Sequence, residues 1–335
     1  MSSRTYLDLV NECDVLQFSS NESITTYLPD YFTLTWNDTA IGCVPRYVIE
    51  AFDSLPIRLR DSLRLSINYP ERKLSLLHDV PFRRRCWVAA ALCYFWKSRR
   101  KFGLLKGWRS ELFPVYGPGN ELLWSMERSA IPLIGVVSYG VHLTAYIRDS
   151  SSPYGFKFWV PRRSANKQTF SGMLDNTVAG GLPVNEDPLT CLIREAEEEA
   201  GLQKELVQKH SKACGTVTYI YYSDSRAGEV GLVQPECEFI YDLELPESVV
   251  PTPTDGEVEE FYLWSVDEVQ AGLRRGEFKP NSALVMLDFF IRHKILTSEN
   301  EPNYEEIKRR IHRDLPFPGP HLKKQQSQQE IQPLF

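Results

Sequence analysis

Glu195, Glu197, Glu198 and Glu199 crowd into one short segment, Pro188–Ala200, which reads as a helix. Asp187 can accept its first backbone N–H groups, Pro188 suits the first turn, and Gly201 can end it in the left-handed conformation. Leu189, Leu192, Ile193, Ala196 and Ala200 repeat at the spacing of a buried stripe. At about 100° per residue, Glu195, Glu198 and Glu199 fall on a second face, roughly 120° away. Carboxylates three and four residues apart repel, and the end of a helix disfavours anions by roughly a few tenths of a kcal/mol each. A hard divalent cation removes both penalties, and oxygen donors suit Mg²⁺ or Mn²⁺, which bridge protein carboxylates to substrate phosphates. A solvated acidic face is the competing reading, and helix spacing alone does not separate the two.

The residues before the helix favour the cation. Gly180 is followed by five residues, then Glu186, seven residues, and Arg194-Glu195-Ala196-Glu197-Glu198-Glu199-Ala200-Gly201-Leu202. This resembles the Nudix box, G-x5-E-x7-R-E-U-x-E-E-x-G-U with U apolar, at every fixed position, Ala196 being small for its slot. The resemblance implies an α-β-α sandwich with a strand–loop–helix metal site, and hydrolysis of a diphosphate linked to another group. It implies Glu195, Glu198 and Glu199 as metal ligands, Gly180 and Gly181 as a tight loop, and Arg194 pairing with site carboxylates, Glu186 among them. Metal would neutralise the diphosphate and lower the pKa of a bound water that attacks phosphorus in line. The general base of such enzymes is often a glutamate in a later loop; Glu257 is the candidate here, with Glu260 behind it and an exposed turn carboxylate as the alternative.

A closer resemblance extends beyond the box. Gly107-Trp108-Arg109-Ser110-Glu111-Leu112, Leu174-Asp175-Asn176-Thr177-Val178-Ala179-Gly180-Gly181, Tyr241–Pro246, Asp255–Phe261 and Phe278–Asn281 are similar to a fungal and plant Nudix subfamily with an N-terminal domain of its own. Its members are often labelled thiamin-pyrophosphokinase-related, and the similarity runs from about residue 5 to about 313. The subfamily is implied to convert thiamin diphosphate, and especially its damaged oxy- and oxo- analogues, to monophosphates. ADP-ribose or a nucleotide sugar is the alternative substrate, and a catalytically silent ligand-binding module is the alternative of another class. Arg162, Arg163 and Lys167 could meet the diphosphate through guanidinium and ammonium donors, or form a solvated basic loop; Asn176 joins them as a substrate-binding candidate. Aromatic side chains of the first domain could cover a heteroaromatic ring, although such residues are more often core.

The elements that must position these groups divide the 335 residues into an N-terminal α+β domain (1–132), a Nudix domain with a mixed sheet (133–280), helices packing on it (281–315) and a mobile Pro- and Gln-rich tail (316–335). Helical periodicity marks Val44–Leu59 and Pro81–Lys101. Strand-like stretches are Val141–Arg148, Lys157–Pro161, Gly215–Tyr222, Cys237–Leu245 and Val258–Trp264, and helices follow at Val266–Arg274, Ser282–Lys294 and Tyr304–Arg313.

Composition excludes several classes. Hydrophobic residues at 42% and charged residues at 24% match a globular chain rather than a disordered or fibrous one. A net charge of −6 gives no general attraction to nucleic acid or anionic lipid, so the expected partner is a small-molecule diphosphate. The basic cluster Arg83–Arg85 and Lys97–Lys101 flanks an apolar centre and reads as the cationic ends of a buried helix. Seven scattered cysteines without a CxxC pair suggest neither a disulfide framework nor zinc, and point to a reducing cytoplasm, with the nucleus as the alternative. The longest apolar run, Cys86–Trp96, is about half the ~20 residues of a membrane span. The six histidines show no ligand spacing, and no oligomeric state is assigned.

Overall fold

The computed structural model describes residues 3–16 and 24–322. After helices α1 (Tyr6–Cys13) and α2 (Ile24–Tyr27), strands β1 (Tyr31–Trp36) and β2 (Thr39–Pro45) form a hairpin. Its turn residues Asn37 and Asp38 both have positive φ, the conformation that matches strand twist and that Asn and Asp tolerate. Helices α3 (Arg46–Asp53) and α4 (Ile57–Leu63) lead to β3 (Ser66–Asn68) and β4 (Lys73–Ser75), giving the order β2-β1-β4-β3. Helix α5 (Phe82–Ser98) packs on this unit beside a hairpin of β5 (Leu112–Tyr116) and β6 (Leu122–Glu127). The helix expected over Val44–Leu59 is two helices, because Val44 and Pro45 finish β2 and Pro56 has no N–H to continue α3.

The larger sheet takes its order β10-β11-β7-β8-β12 from β7 (Ser138–Arg148), β8 (Phe156–Arg163), β10 (Lys212–Tyr222), β11 (Val233–Glu244) and β12 (Val258–Ser265). Strand β9 (Val178–Gly181) pairs with the first half of β7, which β8 leaves open. Only β11 and β7 run parallel among these pairs, so the sheet is mixed. Side chains alternate across it: Val141, Leu143 and Ala145 face a core shared with α6 (Pro188–Ala200) and α7 (Lys204–His210). The opposite face carries Tyr146, Tyr219 and Ile240 against α8 (Val266–Arg275), α9 (Pro280–Arg292) and α10 (Tyr304–Arg310). This is the helix–sheet–helix sandwich implied by the resemblance, preceded by an α+β region. Among the described residues no helix is long and apolar enough to cross a membrane.

Two segments depart from their expected places. Helix α1, assigned with the first domain, packs on α9 and α10, where Asp14 pairs with the buried Arg310 (3.3 Å) and with Arg313 (2.7 Å) and accepts the Ile220 N–H. Residues 316–322, assigned to a mobile tail, are packed: Phe317 joins the α6 core, and the Tyr139 hydroxyl lies 2.8 Å from His321 Nδ1. The rest of the expected tail, 323–335, lies outside the described residues.

Candidate active site

Helix α6 forms as its termini require. The Asp187 carboxylate accepts the Leu189 and Thr190 N–H groups, Pro188 fills the first turn, and Gly201 ends the helix with φ 62°. Leu192, Ala196 and Ala200 are buried against the sheet, and the carboxylate face meets β9. Gly180 is needed there, because a Cβ on it would overlap the Glu195 side chain. Gly181, its neighbour on the opposite face of the strand, is pressed against Phe113 and Arg128.

Arg194 organises three of the carboxylates. Its Nε and Nη2 donate to the two oxygens of Glu186 (3.1 and 2.9 Å), and Nη1 donates to Glu195 Oε1 (2.9 Å) and Glu198 Oε2 (3.0 Å). Glu195 is nearly buried, and Glu198 is half exposed. Glu199 turns inward, buried, and accepts the Ala179 N–H at 3.0 Å. Burial and the charge of Glu195 push its carboxyl up to about 8, against the pull of that N–H and of Lys167. Burial raises Glu195 as well, although Arg194 opposes it.

The loop bearing Glu257 is tied to the end of α6. The Thr252 N–H donates to Ala200 O (2.9 Å), and the Thr254 hydroxyl donates to the carbonyls of Glu197 (3.3 Å) and Glu198. Glu257 pairs with Lys167 and, at 3.2 Å, with Arg109. Lys167 thus stands between Glu257 and the field of Glu199, and burial draws its ammonium down to about 8. The structure therefore brings Glu195, Glu198, Glu199, Glu186, Arg194, Gly180, Lys167 and Glu257 into one neighbourhood. Glu260 is outside it, exposed and bonded to Tyr262.

The donor set is all hard oxygen, with Glu199 buried and, among the described residues, without an ion pair, and Glu195 laid over a glycine; these residues fit a hard divalent cation. Their side chains are held apart by Arg194 and by the Ala179 N–H, and among the described residues no three His, Cys, Asp or Glu side chains converge at metal-binding distance.

A cavity of about 620 Å³ opens along β9, touching Ala179, Gly180 and Gly181. Its cationic walls come from Lys106, Arg109 and Arg128 of the first region and Lys279 of the second, not from the expected Arg162 and Arg163. Arg163 is buried and bonded to Asp175 (2.7 Å) and to the carbonyls of Thr169 and Phe170. Arg162 donates to Gly172 O (2.8 Å) and Tyr262. Asn176 is buried behind the cavity, its Oδ1 2.7 Å from His142 Nδ1. Of the first region's aromatic side chains only Phe113 lines the cavity; Tyr139, Phe170, Tyr219 and Tyr221 come from the second. The sequence reading missed His142, Glu236 and Glu238, which also face it. The signal was charge at alternate positions of a strand whose Cys237 and Phe239 are apolar, the pattern of one dry face and one polar face.

Residues 139–286 match the NUDIX domain. An uncharacterized protein of Saccharomyces cerevisiae, YJR142W, is 34% identical over 94% of this chain and 92% of its own length. Nudix hydrolase 20, chloroplastic, of Arabidopsis thaliana is 36% identical over 63% of this chain, which spans about half (54%) of that relative. Among solved structures, the Deinococcus radiodurans protein DR0079 matches with a TM-score of 0.38 at 19% identity, over 52% of this chain and 98% of its own. With the domain match running through the glycine strand and the glutamate helix, the chain carries a Nudix hydrolase domain over residues 139–286, a domain whose enzymes generally use divalent metals.

Proposed function

We propose that this chain hydrolyses thiamin diphosphate, and above all its oxy- and oxo- analogues, to the monophosphate and inorganic phosphate. Supporting this is one observation: the carboxylate helix meets the glycine strand at the wall of a cavity lined by Lys106, Arg109 and Arg128, where a diphosphate would find donors on one side and a cation on the other. The narrower choice of substrate rests on the subfamily segments, Gly107–Leu112 and Leu174–Gly181 among them.

Glu195, Glu198 and Glu199 would hold Mg²⁺ or Mn²⁺, which supplies charge neutralisation and a more acidic bound water. A water oxygen attacks phosphorus, the bond to the departing phosphate breaks in line, and the water proton passes to a carboxylate. Glu257 is the proposed acceptor, and Arg109 and Lys167 hold it in place until substrate draws on the same cations. Arg194 positions Glu195 and Glu198. The part of the first region that follows α1, up to residue 132, walls the diphosphate end, and seven free thiols suit a reducing cytoplasm.

Phosphate-product analysis of the full chain with Mg²⁺ or Mn²⁺ tests the proposal against thiamin, oxythiamin and oxothiamin diphosphates, ADP-ribose and a nucleotide sugar. Fastest monophosphate release from the thiamin analogues is the expected outcome. Preference for ADP-ribose would discard the substrate and keep the site; no metal-dependent turnover of any diphosphate would discard the enzyme reading.

A further inference from the structure

Beyond β9 the cavity ends on groups that the hydrolytic step does not use. Tyr219 of β10, Glu236 and Glu238 of β11, His142 of β7, and Lys279 and Asn281 at the start of α9 meet there. Strand pairing puts Glu236 opposite Tyr219 and Glu238 opposite Gly140, and alternation turns all of them to the α9 face. Gly140 has no room for a Cβ because the Glu238 carboxylate rests on it.

These groups accept more hydrogen bonds than they donate. The Tyr219 hydroxyl carries one proton, yet it lies within reach of Glu236 and, at 2.9 Å, of Glu238 Oε1. Asn281 Nδ2 donates to Glu238 (3.2 Å) and approaches His142 Nε2 (3.4 Å). Among the described residues, Tyr219 is the hydrogen-bond donor of Glu236, with the charge of Lys279 acting on both carboxylates. Glu238 is matched by the buried His142, whose Nε2 lies 3.7 Å away, whereas Glu236 shares the single Tyr219 proton with its neighbour, which is unfavourable until further donors arrive. Burial and Glu238 accordingly push the Glu236 carboxyl up to about 7. Tyr221 and Phe170 add flat apolar surface around the same space.

We propose that Glu236 and Glu238 form the subsite for the organic end of the substrate, and that they take a six-membered nitrogen heteroaromatic ring presenting N–H donors, an aminopyrimidine or its oxo counterpart. The inference rests on the diphosphatase reading for the direction in which substrate lies, but ring binding can be measured without hydrolysis. Such a ring supplies the missing donors to the carboxylate pair, stacks on the tyrosines, and leaves the diphosphate at β9.

The test is calorimetric titration of the full chain with free thiamin and with a benzyl-thiazolium analogue in which phenyl replaces the aminopyrimidine. The wild type should bind thiamin about tenfold or more tightly than the analogue, as expected for hydrogen bonds to a charged group. Glu236→Gln should erase that preference with a melting temperature equal to or above the wild type; Glu238→Gln serves in its place should that chain fail to fold. Equal binding of the two probes by the wild type, or a preference that survives both substitutions, overturns the subsite. Preference for thiamin in a chain that does not hydrolyse thiamin diphosphate would keep the subsite and remove the proposed function. In an active chain, KM for thiamin diphosphate should rise in Glu236→Gln while kcat holds; a fall in kcat alone contradicts a role in ring recognition.

Discussion

The two sheets are held together by different means. The four-stranded sheet and α5 enclose an aromatic core in which Phe52 and Trp96 meet edge to face at 5.0 Å, Trp96 and Phe102 at 5.2 Å, and Trp36 and Trp124 at 6.0 Å. Between residues 31 and 136 the buried charged side chains are Arg85, which lies 5.0 Å from the Trp36 ring centre, and Glu127, which accepts the Arg109 N–H. The six-stranded sheet buries His142, Arg163, Asp175, Glu199, Glu238, Asp242, Asp288 and Arg310. Most of these are compensated: Arg163 by Asp175, Arg310 by Asp14, Asp242 by Arg292 and His293. Glu238 is faced by His142 (3.7 Å), whereas Glu199 and Glu236 are the least compensated, and they sit beside β9 and in the cavity. Poorly matched buried carboxylates thus gather in the second region, while the first contributes an aromatic core together with Lys106, Arg109 and Arg128, which face the cavity.

That division can be broken from either side. The largest expected effect is on turnover: Glu199→Gln should lower diphosphate hydrolysis by about 10²–10⁴-fold, read in a steady-state assay, while its metal-free melting temperature holds or rises as a buried repulsion disappears. Trp96→Ala should do the reverse, costing about 3–5 kcal/mol in chemical denaturation and leaving kcat near the wild-type value below its melting transition. Gly180→Ala sharpens the contrast, because it displaces Glu195 without touching a charge; about 10²-fold loss of kcat is expected from misplacing a ligand. Removing the helix cap by Asp187→Ala should cost about 1 kcal/mol of stability, with activity largely kept.

A pH dependence follows from Glu199. Its carboxyl is raised to about 8 in the folded chain and would titrate near 4.3 when unfolded, so the folded state binds the extra proton between these values. Metal-free stability therefore falls as pH rises through that window, relative to Glu199→Gln. Cation binding displaces the same proton, so affinity for Mn²⁺ should climb toward about pH 8 and then level. Melting curves with and without Mn²⁺ at several pH values check both; a metal-induced shift independent of pH would contradict the role of Glu199.

Helix α6 was legible because its caps, apolar stripe and charged face are all local, and the strands β7, β10, β11 and β12 because alternation survives in their side chains. Strand β9 was not read as a strand: Val-Ala-Gly-Gly has almost no side-chain pattern, and its pairing depends on the open half of β7. The cationic wall escaped for a similar reason. Arg162 and Arg163 lie near the box in sequence but are bonded to Tyr262, Gly172 and Asp175, whereas Arg109 and Arg128 reach the cavity from another sheet. Helix α1 leaves the first region for a partner almost three hundred residues away, an ion pair with Arg310 that spacing cannot encode.

The most direct measurement is calorimetric titration of Mn²⁺ into the full chain and into Glu199→Gln at pH 8. Binding by the wild type that is lost or weakened by about tenfold or more in the variant is the expected result. Equal binding by both would contradict a cation site on the glutamate helix.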